Sequence, residues 1–168
     1  LVVRGEADSA WITHLEQWAA QYPAIQQVDT GQLRNSDQQR LQQASAQLRQ
    51  SIVLFEQAEA TPLGEEASIL EVARVAQEIV IYARKLGLTP RIVVKGHTDS
   101  LGRFQDNLAL SQERAQFVAQ YLFNHGVEPQ VVEARGMGSP ATRESSPEER
   151  RFNRRVSFDV VVQENNDD

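Results

Sequence analysis

The chain has 168 residues, 40% hydrophobic and 24% charged, with 23 acidic against 17 basic side chains and a net charge of −6. That composition suits a globular domain large enough to bury a core, and the acidic balance argues against a nucleic-acid binder, which would show a basic face. The absence of cysteine excludes disulfides and thiolate-held metals, and no apolar run approaches the roughly 20 residues that a membrane-spanning helix needs.

The chain opens on Leu1-Val2-Val3, already strand-like and without an initiator Met, which reads as a segment of a longer protein. Residues 1–34 predict a small β-α-β piece. LVVRGEA forms a strand, and Asp8 or Ser9 caps a helix whose apolar face carries Trp11, Ile12, Leu15, Trp18 and Ala19. Pro23 lies beyond its end, and IQQVDTGQL forms a second strand broken at Gly31. A unit this small buries too little to stand alone and should pack on a neighbour. Residues 35–50 predict a connecting helix, capped by Asn35, Ser36 or Asp37, with Leu41, Ala44 and Leu48 on one face.

From residue 51 the pattern becomes regular. SIVLFE (51–56) is a strand, followed by a loop over 57–64 with Pro62 and Gly64. A long amphipathic helix spans 65–86, with Gly87 as its C-terminal cap. RIVVK (91–95) is a strand, 96–107 a polar glycine loop, 110–125 a helix and 130–136 a strand. A polar loop with one helical turn after Pro147 leads to a last strand over 154–162, and the acidic tail from residue 164 is expected to be disordered. The order β-α-β-α-β-β predicts an α/β (α+β) two-layer sandwich, with two helices covering one face of a four-stranded sheet. Alternation in the last strand puts Val156, Phe158 and Val160 toward those helices.

One stretch stands out. GHTDSLGRFQDNLALSQERA (96–115) holds a strand exit, a glycine loop and a helix start, with Asp99 at one end and Arg114 at the other. Taken alone, the two residues are either a surface ion pair of small worth or two halves of a binding site. Extended to GHTDSLGRFQDNLALSQERAQFVAQYLFNHGV, then GMGSPA and RRFNRRVSF, the pattern resembles the OmpA/MotB/Pal C-terminal domain family of noncovalent peptidoglycan binders. The landmarks GHTD, G, N, LS, RA, the helix ending in Gly-Val, G-x-G before Pro and NRRV all occur in order. The resemblance covers roughly residues 40–163, and its domain is placed at 51–163. It implies a mixed sheet whose last strand runs antiparallel between the first and second. VRGEAD with YPAIQQVDTGQL is also similar to the second half of a BON domain.

The family resemblance implies a non-catalytic anchor in the periplasm or cell envelope, needing no cofactor, metal or nucleic acid. Its partner is peptidoglycan, through the diaminopimelate of the stem peptide. Membrane attachment then belongs to a part outside this chain, whether a β-barrel, a transmembrane helix or a lipid anchor. Diaminopimelate ends in an ammonium and a carboxylate on one carbon. By the resemblance, Asp99 takes the ammonium and Arg114 the carboxylate, aided by donors at the start of Arg114's helix. Asn107 closes the loop on the ligand, Arg154 approaches its carboxylate, and Thr98 and Leu110 join the same set. Glu56 stands where the family has Asp after Phe, one methylene longer.

Other readings attach to single residues. His97 supports the loop by a hydrogen bond, Ser111 lies in a helix-cap region, and Gly96, Gly102, Gly136 and Gly138 serve backbone turns. His14 and His125 are surface or helix-end residues, and Arg150, Arg151 and Arg155 are solvated or touch glycan. Two alternatives to the anchor remain. One is a cell-wall hydrolase around His97, Asp99 and Ser111, for which the sequence offers no oxyanion hole, metal or paired carboxylates. The other is an envelope scaffold that meets partner proteins through residues 1–50.

Overall fold

Side-chain caps open three of the helices. Asp8 accepts from Trp11 N at the start of α1 (Ser9–Ala19), Asn35 from Asp37 N and Gln38 N at the start of α2 (Ser36–Gln50), and Ser146 from Glu149 N at the start of α5 (Pro147–Asn153). The structure, a computed structural model, describes residues 1–63, 66–141, 144 and 146–164. Its other elements are β1 (Val2–Ala7), β2 (Asp29–Asn35), β3 (Ile52–Leu54), α3 (Glu66–Lys85), β4 (Leu88–Gly96), α4 (Phe104–Asn124), β5 (Val132–Gly136) and β6 (Arg155–Glu164). Gly64, the expected helix start at residue 65, and residues 142, 143 and 145 of the polar loop lie outside the described residues.

The main sheet has the order β3-β6-β4-β5. β6 is antiparallel to both β3 and β4, and β4 is parallel to β5. The last strand therefore runs between the first two strands of this sheet, as the family resemblance implied. Pro90, which has no N–H to donate, sits in β4 beyond the reach of β5, whose pairing begins at Ile92. β6 continues through Gln163 and Glu164, paired with Thr89 and Leu88. The start of the expected frayed tail is thus held in the sheet, and residues 165–168 lie outside the described residues.

Three helices build the core with this sheet, one more than expected. Leu41, Ala44 and Leu48 of α2 join Val75, Ile79 and Ala83 of α3 and Val118 and Leu122 of α4 against Ile92, Val94, Val156, Phe158 and Val160. Helix α2 is therefore a packed element as well as a connection: it lies along α3 and β6, and Arg49 donates to the carbonyl of Val160 at 2.6 Å. On the other side of β6, Ser157 and Asp159 alternate with the core residues, and Asp159 pairs with Lys95 at 3.0 Å.

β1 and β2 form a separate two-stranded parallel sheet. Gly31 lies inside β2 instead of breaking it, and residues 25–28 stay outside the strand. Helix α1 fully buries only Ala19, leaving Trp11 and Trp18 exposed. The unit is tied to α2 where Ser9 N donates to the buried Asp37 carboxylate at 3.0 Å. No helix among the described residues is long and apolar enough to cross a membrane.

Candidate functional site

The site forms where β4 and β5 end beneath α4. A Cβ on Gly96 would lie 1.9 Å from the Ser111 carbonyl oxygen, and one on Gly136 would lie 2.7 Å from Gln112 N. These glycines admit the helix onto the sheet rather than make turns; Gly102 and Gly138, at φ 100 and 67, do turn the chain. Ser111 is fully buried in the second turn of α4, not a cap. Its hydroxyl donates to the Leu108 carbonyl at 2.8 Å and accepts from Gly138 N at 2.9 Å. That latch fixes the 136–138 turn against the helix.

Helix α4 begins at Phe104, earlier than the expected residue 110, so Arg114 stands on its third turn and not at its start. The Arg114 side chain is 0% exposed. Its Nε, Nη1 and Nη2 each donate at 2.8 Å, to the carbonyls of Glu59, His97 and Glu56 respectively. The guanidinium also lies 5.0 Å over the Phe55 ring. Burial lowers its pKa to about 10, with nearby Asp99 acting to raise it and Arg154 to lower it further. It remains a cation at neutral pH.

Asp99 is also buried. One oxygen accepts from Leu101 N at 3.2 Å, and the other from Arg154 Nη1 at 3.1 Å. Arg154, at the junction of α5 and β6, also donates through Nε to the Phe55 carbonyl at 3.3 Å. Asn107 on the first turn of α4 donates to the Asp99 carbonyl at 3.3 Å, closing the loop on itself. Beside this pair, Glu144 accepts from Ser100 N at 3.1 Å and from Asn153 Nδ2 at 2.8 Å, tying the Asp99 loop to the segment that carries Arg154.

A cavity of about 270 Å³ opens among these groups, and Thr98, Asp99, Asn107, Leu110, Arg114 and Arg154 all line it. The structure thus brings together six of the seven residues singled out in the sequence. Glu56 is the exception: its side chain is exposed and outside the wall, and only its carbonyl reaches the site, through Arg114. Sequence reasoning missed Gln57, Ala58, Leu101, Gly102 and Asp106 in the wall, and Glu144 beside it. Asp106 was within reach, since a helix start at Phe104 puts it beside Asn107. Ala58 adopts φ 59, which an alanine gives no reason to expect.

His97 and Ser111 are occupied elsewhere. The His97 ring nitrogen Nε2 lies 2.9 Å from the Ser157 hydroxyl, while Ser111 makes the latch above. His97 thus holds the loop exit to β6. Its burial, with the charges of Arg155 and Lys95, lowers its pKa to about 4, so the ring is neutral at physiological pH. His125 caps the end of α4, its ring stacked on Tyr121. Arg155 lies over the Phe152 ring and donates to the Phe152 carbonyl at 3.3 Å.

A model of the OmpA family matches residues 54–154. The chain belongs to the OmpA family. The match runs from the end of β3 to Arg154, so it includes every candidate site residue and leaves β1, α1, β2, α2 and β6 outside. Among curated proteins, outer membrane protein A of Bordetella avium is 33% identical over 90 residues, covering 52% of this chain and 46% of that protein. Peptidoglycan-binding protein ArfA of Mycobacterium tuberculosis (strain ATCC 25618 / H37Rv) is 39% identical over 84 residues, covering 48% of this chain and 25% of that protein. The chain thus spans less than half the length of these curated relatives. Among solved structures, the C-terminal domain of Helicobacter pylori MotB is similar with a TM-score of 0.53 and 27% identity, over 66% of this chain and 83% of that one. The peptidoglycan-associated lipoprotein of Burkholderia pseudomallei shares the fold, with a TM-score of 0.53 and 24% identity over 67% of this chain and 91% of that one.

Proposed function

We propose that this OmpA-family chain is a non-catalytic module that anchors an envelope protein to the cell wall by binding the diaminopimelate of the peptidoglycan stem peptide. The observation that carries the reading is the cavity wall, where Asp99, Arg114 and Arg154 meet with Asn107, Thr98 and Leu110. A wall with cations and a carboxylate suits a group that carries an ammonium and a carboxylate on one carbon. The ligand carboxylate accepts from the N–H groups that Arg154 and Arg114 have left, and the ammonium donates to Asp99. A guanidinium has five N–H donors, and Arg114 uses three of them on backbone carbonyls. The Thr98 hydroxyl is buried without a hydrogen-bond partner among the described residues, and a polar ligand atom supplies one. Leu110 covers the apolar part of the ligand stem.

The name of the mycobacterial relative, a peptidoglycan-binding protein, supports this reading. The hydrogen bonds of Ser111 and His97 support an absence of catalysis, because each is engaged away from the other. The binding unit is residues 51–163 with α2 packed on it, and residues 1–34 lie outside it. Its setting is the periplasm or cell envelope.

The test is sedimentation with purified sacculi. The chain is expected to pellet with diaminopimelate-type sacculi, release no soluble fragments, and pellet less with lysine-type sacculi, whose side chain lacks the carboxylate. Equal retention by both would overturn the diaminopimelate chemistry, and fragment release would overturn the anchor. A chain beginning at Asn35 should pellet as the whole chain does.

A further inference from the structure

We propose that Asp106 is the second carboxylate of the site and takes the ligand's ammonium together with Asp99; the inference rests on the diaminopimelate reading above. Four charged side chains line the cavity: Asp99, Asp106, Arg114 and Arg154. The two carboxylates balance the two guanidiniums, and a zwitterionic amino-acid end matches such a wall. Without Asp106 the wall would carry two cations against one anion, and an arriving ammonium would be repelled by both.

Asp99 is already committed. One of its oxygens accepts from Leu101 N and the other from Arg154, so its charge is shared before any ligand enters. Asp106 is differently placed. Its ion-pair partner is Arg103, at 4.0 Å, and the two side chains are 67% and 83% exposed. Such a pair holds its carboxylate weakly, leaving Asp106 free to turn to an ammonium. It lies in the first turn of α4, next to Asn107 of the same wall. Glu56, the acid in the position where the family has Asp, is outside the wall. The structure therefore moves the second acid from the end of β3 to the start of α4.

The experiment compares two soluble probes: γ-D-glutamyl-meso-diaminopimelate with its free amine, and the same dipeptide acetylated at that amine. Binding is measured for the wild type, Asp106→Asn and Glu56→Gln. Asp106→Asn is expected to weaken the free-amine dipeptide about tenfold, one charge-assisted contact, and to bind the acetylated one as the wild type does. Glu56→Gln should match the wild type on both. Wild-type affinity of Asp106→Asn for the free-amine dipeptide would overturn the proposal. So would an equal weakening of both probes, which is what loss of a helix-start charge alone would give. A wild type that binds neither dipeptide would overturn the underlying diaminopimelate reading, and this inference with it. A wild type that binds both equally would remove the ammonium contact alone.

Discussion

Asp99 pairs with Arg154 and not with Arg114: Arg154 Nη1 lies 3.1 Å from Asp99 Oδ2, and both side chains are largely buried. Asp99 and Arg114 belong to one continuous motif, whereas Arg154 follows 55 residues after Asp99. The pairing of β4 with β6 closes that separation, since Gly96 stands opposite Val156. The two arginines thus divide the work. Arg114 gathers three backbone carbonyls of two segments from inside the helix layer, and Arg154 holds the Asp99 carboxylate at the cavity.

Gly96 sets how closely α4 lies on β4. A methyl group there would meet backbone atoms of Ser111, with the carbonyl oxygen at 1.9 Å and its carbon at 2.9 Å. Backbone cannot rotate away as a side-chain tip can, so the helix would have to lift. Overpacking of this kind costs about 1–3 kcal/mol and occasionally more. Gly96→Ala is expected to lower the unfolding free energy by that amount, read as a lower denaturant midpoint, and to weaken sacculus binding, because the Ser111 latch and the 136–138 turn move with the helix. An unchanged midpoint would contradict the close crossing.

His97 makes the domain sensitive to mild acid. Its folded pKa is about 4, lowered by burial first and then by Arg155 and Lys95. An unfolded histidine titrates near 6.5, roughly. As pH falls through that window the unfolded chain takes up a proton that the folded chain refuses, so stability declines. Ring signals followed by NMR should show His97 titrating at about 4, and His97→Asn should flatten the stability profile over the same window. A ring that titrates at the ordinary histidine value would contradict the burial.

The main sheet was legible because its strands carry strong period-two or continuous apolar patterns, as in RVSFDVVV and RIVVK. The helix start at Phe104 was not, because Arg103 caps it without a side-chain hydrogen bond and no Ser, Thr or Asp marks the position. The role of α2 was also hidden. Its sequence is rich in glutamine, so its apolar face is only Leu41, Ala44 and Leu48 wide, and burial of that face depends on α3, which arrives later in the chain. The six residues that line the cavity together were named through the family resemblance, but the division of labour between Arg114 and Arg154 depends on which carbonyls the fold brings within reach. Glu144 carried no signal, since Ser100 stands 44 residues before it and Asn153 nine after it, and only the fold brings the three together.

Glu144 joins those segments by charge. Burial acts to raise its pKa, but hydrogen bonds from Ser100 and Asn153 outweigh it and the net shift is downward. A depressed carboxylate stabilises the fold above its unfolded value, about 4.3, and that stability is lost as pH falls through the folded value. Glu144→Ala is therefore expected to be less stable than the wild type at pH near 7, roughly, with the difference closing in more acidic solution. Glu144→Gln keeps one acceptor oxygen and should fall between them. Thermal melts across the acid range would show this convergence; a constant gap would mean the tie does not depend on charge.

Arginine replacements should separate folding from binding. Arg114→Ala removes three hydrogen bonds from a charged donor to the carbonyls of Glu56, Glu59 and His97, each contributing about 1.5–3 kcal/mol. Their sum is a large part of the 5–15 kcal/mol that typically holds a domain together, roughly. The variant is expected to melt far lower or fail to fold, and Arg114→Lys to recover little, because one ammonium cannot reproduce a planar fork reaching three carbonyls. Arg154→Ala gives up one bond to the Phe55 carbonyl and the contact to Asp99. It should keep the fold, with a melting temperature lowered by a few degrees, roughly, while sacculus binding falls more than tenfold, about the loss of one charge-assisted contact. Melting curves recorded beside sacculus pull-downs read both effects. A stable Arg114→Ala that loses only binding would show that its carbonyl contacts are dispensable, and an Arg154→Ala that binds as the wild type would remove Arg154 from the site.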